Sequence, residues 1–401
     1  MKKLFLTLLI LLSGMMGRAQ VPTEPSQVIL GAERTEMYFP QLEGKRIALL
    51  SNHTGVAGGI HTLDRMVTAG MDVRAIFSPE HGFRGSAGAG DKVGDSVDEK
   101  TGVPILSLYD GKRQRPSDEA MRQFDVLVVD IQDVGLRFYT YYITMCRMMQ
   151  VCAEYGKQVI VLDRPNPNGF YVDGPILDMQ YKSGVGWLPI PVVHGMTLGE
   201  LAMMVNGEHW LEDDAFCRLT VIPCDHYTHQ TRYRLPIAPS PNLQNMLAIY
   251  LYPSMCYFEA TPVSLGRGTD KPFLQYGHPK MKRGKAIKEA GAKAARFTPR
   301  SCPAAGTPPQ QDRKCYGTDL SRMTEEQAMQ KGIDLSYLID AYRQSDIDNW
   351  FFSSFFEKLI GVSYVRKMII AGKSNEEIRA MWKDDVEHFK QQRKPYLLYE
   401  E

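Results

Sequence analysis

The sequence predicts an α/β fold: a Rossmann-like, doubly wound and mostly parallel sheet with a second, smaller α+β C-terminal domain. Short apolar runs of strand character alternate with helical periodicities through the first half of the chain. Each run ends in a polar knot, as strands that feed crossover helices do. From about Pro223 this rhythm stops, and prolines cluster between 236 and 262.

Residues 47–50 read as the first strand, entered from a turn at Gly44 and ending in Ser51, Asn52, His53, Thr54 and Gly55. Ile60, Leu63, Met66 and Val67 then recur at helical spacing, with Gly70 as the C-terminal stop. The second strand, 73–78, ends in Pro79, Glu80, His81 and Gly82, before a Gly-rich stretch from Gly85 to Gly102. Residues 104–108 make a third strand ending in Tyr109, Asp110 and Gly111, and a short helix begins around Pro116 and Ser117. The run 125–129 is continuous and β-branched, the signature of a strand buried on both faces. It leads into Asp130, Ile131, Gln132, Asp133, Val134 and Gly135. A long helix follows, with Phe138, Tyr141, Tyr142, Met145, Met149 and Cys152 on one side and Gly156 closing it.

Residues 158–162 form a fifth strand ending in Asp163, Arg164, Pro165 and Asn166. A sixth is expected around 190–193, ending in His194 and Gly195, with Pro189 and Pro191 marking a sheet edge. Thr197 with Glu200 is a capping box for a helix whose inner face carries Leu198, Leu201 and Val205. Past a boundary near 245, residues 336–341 and 355–370 read as helical. Ser374 with Glu377 caps a last helix lined by Ile378, Trp382, Val386 and Phe389, and the Pro-rich segment 298–318 reads as an exposed loop. The domains are thus 1–19, a signal peptide, then 20–245 and 246–401.

The signal peptide rests on Lys2 and Lys3, an apolar run from Leu4 to Leu12, and Gly17-Arg18-Ala19 as a small-x-small cleavage site. The apolar run is too short for a membrane span, and no Cys follows the cut to take a lipid. The expected product starts near Gln20 and is exported to the periplasm or beyond. The 401 residues carry 47 Lys and Arg against 46 Asp and Glu, which offers no footprint for nucleic acid. Seven scattered cysteines imply no disulfide framework; only Cys302 and Cys315, flanking the Pro-rich loop, are plausible partners. Metal and cofactor signatures are lacking: there is no CxxC, no HExxH, no GxxxxGK[ST] and no GxGxxG after the first strand.

Ligands of open α/β sheets bind outside the carboxyl ends of the strands, so the knots supply the candidate site. Glu80 is the centre: a partly desolvated carboxyl there can hold a proton near neutrality. Asp130 and Asp133, two carboxylates on one loop, either repel, coordinate a cation, act directly, or anchor Arg137 and backbone amides, and Asp163 with Arg164 reads as an internal ion pair shaping its knot. His194 sits at another strand end, and Tyr139, Tyr141 and Tyr142 are either core or a surface for stacking a sugar. In the second half Glu259 and a Gly-punctuated loop carrying Arg267 and Lys271 are placed to close a cleft and to meet an anionic group.

Five motifs then resemble a known family. They are Ser78-Pro79-Glu80-His81-Gly82-Phe83-Arg84-Gly85, residues 130–135 with Arg137-Phe138-Tyr139-Thr140, Leu162-Asp163-Arg164-Pro165-Asn166-Pro167, His194-Gly195-Met196-Thr197, and Gly266-Arg267-Gly268-Thr269. The chain resembles the exo-β-N-acetylmuramidases of the NamZ type over nearly all of its mature length. The resemblance implies a Rossmann-like catalytic domain, a smaller C-terminal domain and a cleft between them. It implies removal of N-acetylmuramic acid from the non-reducing ends of peptidoglycan fragments, with the catalytic glutamate on Glu80. Segment 298–318 departs from the family's pattern.

Glu80 as general acid needs a second group: Asp130, Asp133, Glu259 or the acetamido oxygen of the substrate. Carboxyls roughly 5–5.5 Å apart argue a retaining nucleophile and about 6.5–9.5 Å an inverting base. Asn52, His81, Arg84, Gln132, Arg137, Tyr139, Asp163, Arg164, Asn166, His194, Arg267 and Lys271 complete the expected substrate contacts, with the arginines offered to the lactyl carboxylate. The rival readings are a metal-dependent hydrolase built on His53, His81, Asp130 and His194, and a non-catalytic muropeptide-binding protein.

Overall fold

The computed structural model describes residues 27–79, 83, 96–108, 115–347 and 350–401. Helix α1 (Thr35–Leu42) leads into β1 (Ile47–Ser51), whose five residues are all buried. Strands β2 (Val56–Ala57) and β3 (Ile60–His61) pair antiparallel before α2 (Thr62–Thr68), so Ile60 belongs to that small ribbon and is exposed. Strands β4 (Val73–Ser78), β5 (Ser96–Val97) and β6 (Pro104–Ser107) follow, then α3 (Asp118–Arg122), capped by the Ser117 hydroxyl. Strand β7 (Val126–Asp130), α4 (Tyr141–Glu154), β8 (Gln158–Leu162), α5 (Leu198–Gly207) and β9 (Arg218–Ile222) complete the first half. The capping box of Thr197 with Glu200 opens α5.

Among the described residues the main sheet has seven strands in the order β5-β6-β4-β1-β7-β8-β9, and β5 alone runs antiparallel to its neighbour. From β1 the chain moves outward to β4 and β6, then returns to β7 on the other side of β1 and continues to β8 and β9. The doubly wound sheet is as expected. Its sixth parallel strand is not: that place is taken by β9. Residues 190–193 contribute only isolated bridges, from Val193 to Leu136 and to Asp173. Pro189 and Pro191 lack the N–H groups that a ladder needs.

The C-terminal half begins with α6 (Met246–Met255). A second sheet of β10 (Gln275–His278), β11 (Lys293–Phe297) and β12 (Cys315–Asp319) is antiparallel, in the order β10-β12-β11. Helices α7 (Glu325–Lys331), α8 (Ser336–Gln344), α9 (Phe356–Ile360), α10 (Tyr364–Ile370), α11 (Asn375–Ala380) and α12 (Lys383–Arg393) follow. The single helix expected over 355–370 is broken at Gly361, whose φ is 86°. A side chain there would run into the Arg137 guanidinium, so glycine is required both for its conformation and for its size. The last helix is likewise divided, although Ile378, Trp382, Val386 and Phe389 are all buried as expected. The Pro-rich loop is shorter than expected, because its last residues belong to β12, and Cys302 and Cys315 are free thiols like the other five.

One apolar core runs from one face of the main sheet through α4, α5 and α6 to Tyr276, Tyr337, Phe356 and Trp382 of the C-terminal half. A second fills the opposite face beneath α1 and α2. The final residues return to the first half: the Tyr399 hydroxyl donates to Asp163 at 2.7 Å, the Leu398 amide to Glu200 at 2.8 Å, and Glu400 O accepts from the His229 amide at 2.8 Å. No helix among the described residues is long and apolar enough to cross a membrane.

Candidate active site

The crossovers diverge between β1 and β7, where Ser51 pairs in register with Asp130. A crevice outside the strand ends forms at such a divergence. Short hydrogen bonds knit three strand-end loops there. The Ser51 hydroxyl donates to Asp130 O at 2.7 Å, and Asn52 Oδ1 accepts from the Thr54 amide at 2.9 Å and from its hydroxyl at 2.6 Å. Thr54 Oγ1 in turn accepts from the Gln132 amide at 3.0 Å, and Gln132 Nε2 donates to Asp133 O and Pro165 O, both at 2.8 Å. Asn52 Nδ2 is buried without a hydrogen-bond partner among the described residues.

The carboxylates divide sharply. Asp130, wholly buried, accepts from Arg164 Nε at 2.5 Å, Arg164 Nη2 at 3.1 Å and the Thr62 hydroxyl at 2.5 Å. Arg164 therefore pairs with Asp130 and not with its neighbour Asp163, which corrects the expected pairing. Successive side chains at a strand end point to opposite faces, so adjacency in sequence did not place them together. Asp163 is buried too, and takes hydrogen bonds from the Thr197 hydroxyl at 2.6 Å, the Tyr399 hydroxyl and the Gly199 amide at 2.8 Å. Both carboxylates brace the loops; neither has an oxygen left for substrate.

Asp133 differs. Its Oδ1 accepts from the Gly135 amide at 2.7 Å, while Oδ2 is buried and has no partner among the described residues. Burial pushes its pKa up to about 7, against the pull of the Gly135 and Val134 amides and of the Tyr142 amide in the first turn of α4. A carboxyl so placed exchanges its proton near neutrality, as acid–base chemistry requires. Gly135 holds a φ of 75° with Asn166 packed where a side chain would project, which seats the Asp133 turn on the loop after β8. Burial also raises the hydroxyl pKa of Tyr139, with Tyr141 and Asp133 adding to it, so these groups form one cluster.

A small cleft of about 120 Å³ adjoins this cluster and brings Tyr139, Glu259 and Arg267 together. Glu259 Oε1 accepts from Arg267 Nη2 at 2.5 Å, and the guanidinium lies 5.0 Å from the Phe273 ring centre. Ser240, Asn242 and Tyr252 also line the cleft, and the sequence pattern does not single them out. The signal for Ser240 and Asn242 is the Pro-rich run 236–241 in or beside which they lie. Pro239 O accepts from the Tyr139 hydroxyl at 2.7 Å, and His53 Nε2 lies 2.9 Å from Ala238 O, so this run is fastened across the strand ends. Lys271 does not line the cleft; it pairs with Asp319 at 2.8 Å.

Three more expected contacts prove internal. Arg137 is fully buried and donates to the carbonyls of Pro175 at 2.7 Å, Ile190 at 2.9 Å, Leu359 at 3.1 Å and Ile360 at 2.7 Å. It clamps the two halves together, and burial lowers its pKa to about 10. Asn166 spans the Met196 carbonyl at 2.9 Å and the Asn168 amide at 2.8 Å. His194 Nδ1 accepts from the Met196 amide at 3.2 Å, and burial, with Arg393 and His229 nearby, lowers its pKa to about 3. Glu80, His81 and Arg84 lie outside the described residues, as do Tyr109, Asp110 and the signal segment. Among the described residues no three His, Cys, Asp or Glu side chains converge as metal ligands.

Comparison with known proteins agrees with this layout. The family model for the N-terminal part of exo-β-N-acetylmuramidase NamZ matches residues 47–247, and that for its C-terminal part matches 250–399. The peptidoglycan β-N-acetylmuramidase NamZ of Bacillus subtilis is 38% identical over 379 residues, covering 90% of this chain and 89% of that protein. Two crystal structures of DUF1343 family proteins from Bacteroides fragilis share the fold. One has a TM-score of 0.86 at 60% identity, covering 94% of this chain and all of the other; the second has 0.74 at 28%, covering 93% and 99%.

Proposed function

Because the chain belongs to the NamZ family of exo-β-N-acetylmuramidases, we propose that it releases terminal N-acetylmuramic acid from the non-reducing ends of peptidoglycan fragments during cell-wall turnover. It is a glycoside hydrolase, and hydrolysis of this kind requires a proton donor and a second group that assists departure or attack. Glu80, two residues beyond the end of β4 in sequence, is the proposed general acid. Asp133 is the proposed second carboxyl. The observation that carries this choice is its Oδ2, unengaged among the described residues, where Asp130 is bound to Arg164 and Glu259 to Arg267. Arg267, in the cleft beside Tyr139, is the proposed partner of the lactyl carboxylate, a planar anion that suits a guanidinium fork. Export rests on the N-terminal Lys pair, apolar run and cleavage pattern.

The test is Glu80→Gln assayed on a chromogenic muramic acid glycoside, with the released sugar identified by mass spectrometry. A loss of about 10²–10⁴ in turnover is expected for removal of a general acid. Near wild-type turnover would remove Glu80 from the role. Intact-mass analysis of secreted protein tests export, which predicts a chain beginning near Gln20.

A further inference from the structure

A second hollow, of about 440 Å³, opens on the flank of the first half between α4, α5 and the 187–188 loop. Volumes of this order accommodate small organic ligands. It is separate from the crevice. The hollow shares no lining residue with the cleft at Tyr139, Glu259 and Arg267, and its Arg147 lies about 7.5 Å along α4 from Tyr142.

Its walls carry two half-buried indoles, Trp187 and Trp210, with Leu188 and Val205. Its charges are nearly all engaged. Arg115 pairs with Glu154 at 2.8 Å, Gln150 donates to Glu154 at 3.1 Å, and Glu212 lies 3.7 Å from Lys182. Arg147 is the exception: it has no carboxylate or hydrogen-bond partner among the described residues, and its Nε is buried. The guanidinium lies 4.7 Å from the Trp187 ring centre, and Lys182 Nζ lies 4.0 Å from the same ring. The two Nη groups of Arg147 likewise make no hydrogen bond among the described residues, and an anion entering the hollow would supply their acceptor.

We propose that this hollow binds a small amphiphilic carboxylate, of the kind an N-acylated amino acid presents, with Arg147 on the carboxylate and the apolar body against Trp187 and Trp210. A single unengaged guanidinium matches a monoanionic carboxylate in a two-point hydrogen bond. Glu154 and Glu212 on the rim disfavour a dianion such as phosphate. The apolar walls disfavour a bare inorganic anion, which would be stripped of water without compensation.

The test uses N-acetyl-L-phenylalanine and its uncharged amide, titrated into the full-length protein. Tryptophan fluorescence is the readout, since two of the four tryptophans line the hollow, and calorimetry provides a check. The carboxylate is expected to bind, and the amide and the Arg147→Met variant to lose affinity by about tenfold or more. Trp210→Phe with a wild-type melting curve guards against misfolding and should weaken both probes. Equal binding of acid and amide, or undiminished binding to a folded Arg147→Met, would overturn the role given to Arg147. Absence of binding by either probe would overturn the site itself.

Discussion

Replacing Asp133 with asparagine should stabilise the protein while impairing hydrolysis, and the stabilisation should grow with pH. In the folded chain burial keeps this carboxyl protonated up to about 7, against an ordinary 3.8. The unfolded carboxyl gives up its proton at the lower value, so acid favours the native state and the advantage is lost as pH rises through about 7. The gap between the two values corresponds to about 4 kcal/mol at about pH 8, of which about 1.5 kcal/mol is already lost near pH 5. Asparagine cannot ionise and escapes this cost. It keeps the bond from the Gly135 amide, but its new N–H₂ group, in place of Oδ2, lacks an acceptor among the described residues, at about 1–3 kcal/mol regardless of pH. The variant should therefore gain about 3 kcal/mol on the wild type between about pH 5 and about pH 8, whatever the constant offset. Urea unfolding at the two pH values measures this, with hydrolysis rates taken on the same preparations. A stability difference that does not change with pH would refute the buried-carboxyl reasoning. Unchanged hydrolysis would refute the catalytic role.

Arg137→Met strips four carbonyls of their donors and should cost about 3–5 kcal/mol in urea unfolding; Arg137→Lys should recover little, because one ammonium cannot reach carbonyls served by two nitrogens. His194 stays neutral in the native state until about 3 while the unfolded ring protonates near 6.5, so stability falls as pH drops below that value, by about 2 kcal/mol at about pH 5. His194→Asn should remove that fall when melting curves are compared across pH. Arg267→Gln should raise KM for a muramic acid glycoside about tenfold with little change in kcat, and leave the matching glucosamine glycoside unaffected.

The strands whose side chains are apolar on both faces were legible because burial on both sides leaves no alternation to misread. The runs at Val126–Asp130 and Gln158–Leu162 fell within a residue of expectation. The capping boxes at Thr197 and Ser374 were legible for a local reason, since a hydroxyl and a carboxylate three residues apart satisfy each other's backbone amides. Strand β9 was missed although Thr220, Val221 and Ile222 are β-branched, because the apolar run before His194 competed for the same place. At the site, the strand-end position of the polar knots identified the right neighbourhood, but not which polar groups face outward. Arg137, Asp163 and Asn166 sit in knots as expected and yet serve carbonyls, hydroxyls and amides inside the protein. Apart from the Asn168 amide beside Asn166, those partners lie tens of residues away, and only the folded chain brings them together.

The strap formed by Tyr399, Leu398 and Glu400 sets a temporal constraint. Asp163 and Glu200 lie in the Rossmann-like half, yet their hydrogen bonds are completed by residues 236 and 198 positions further along the chain. Translation runs from one end to the other, whereas this architecture returns near its beginning to close. The earlier-made half must wait, incompletely braced, until residues 398–400 have been made.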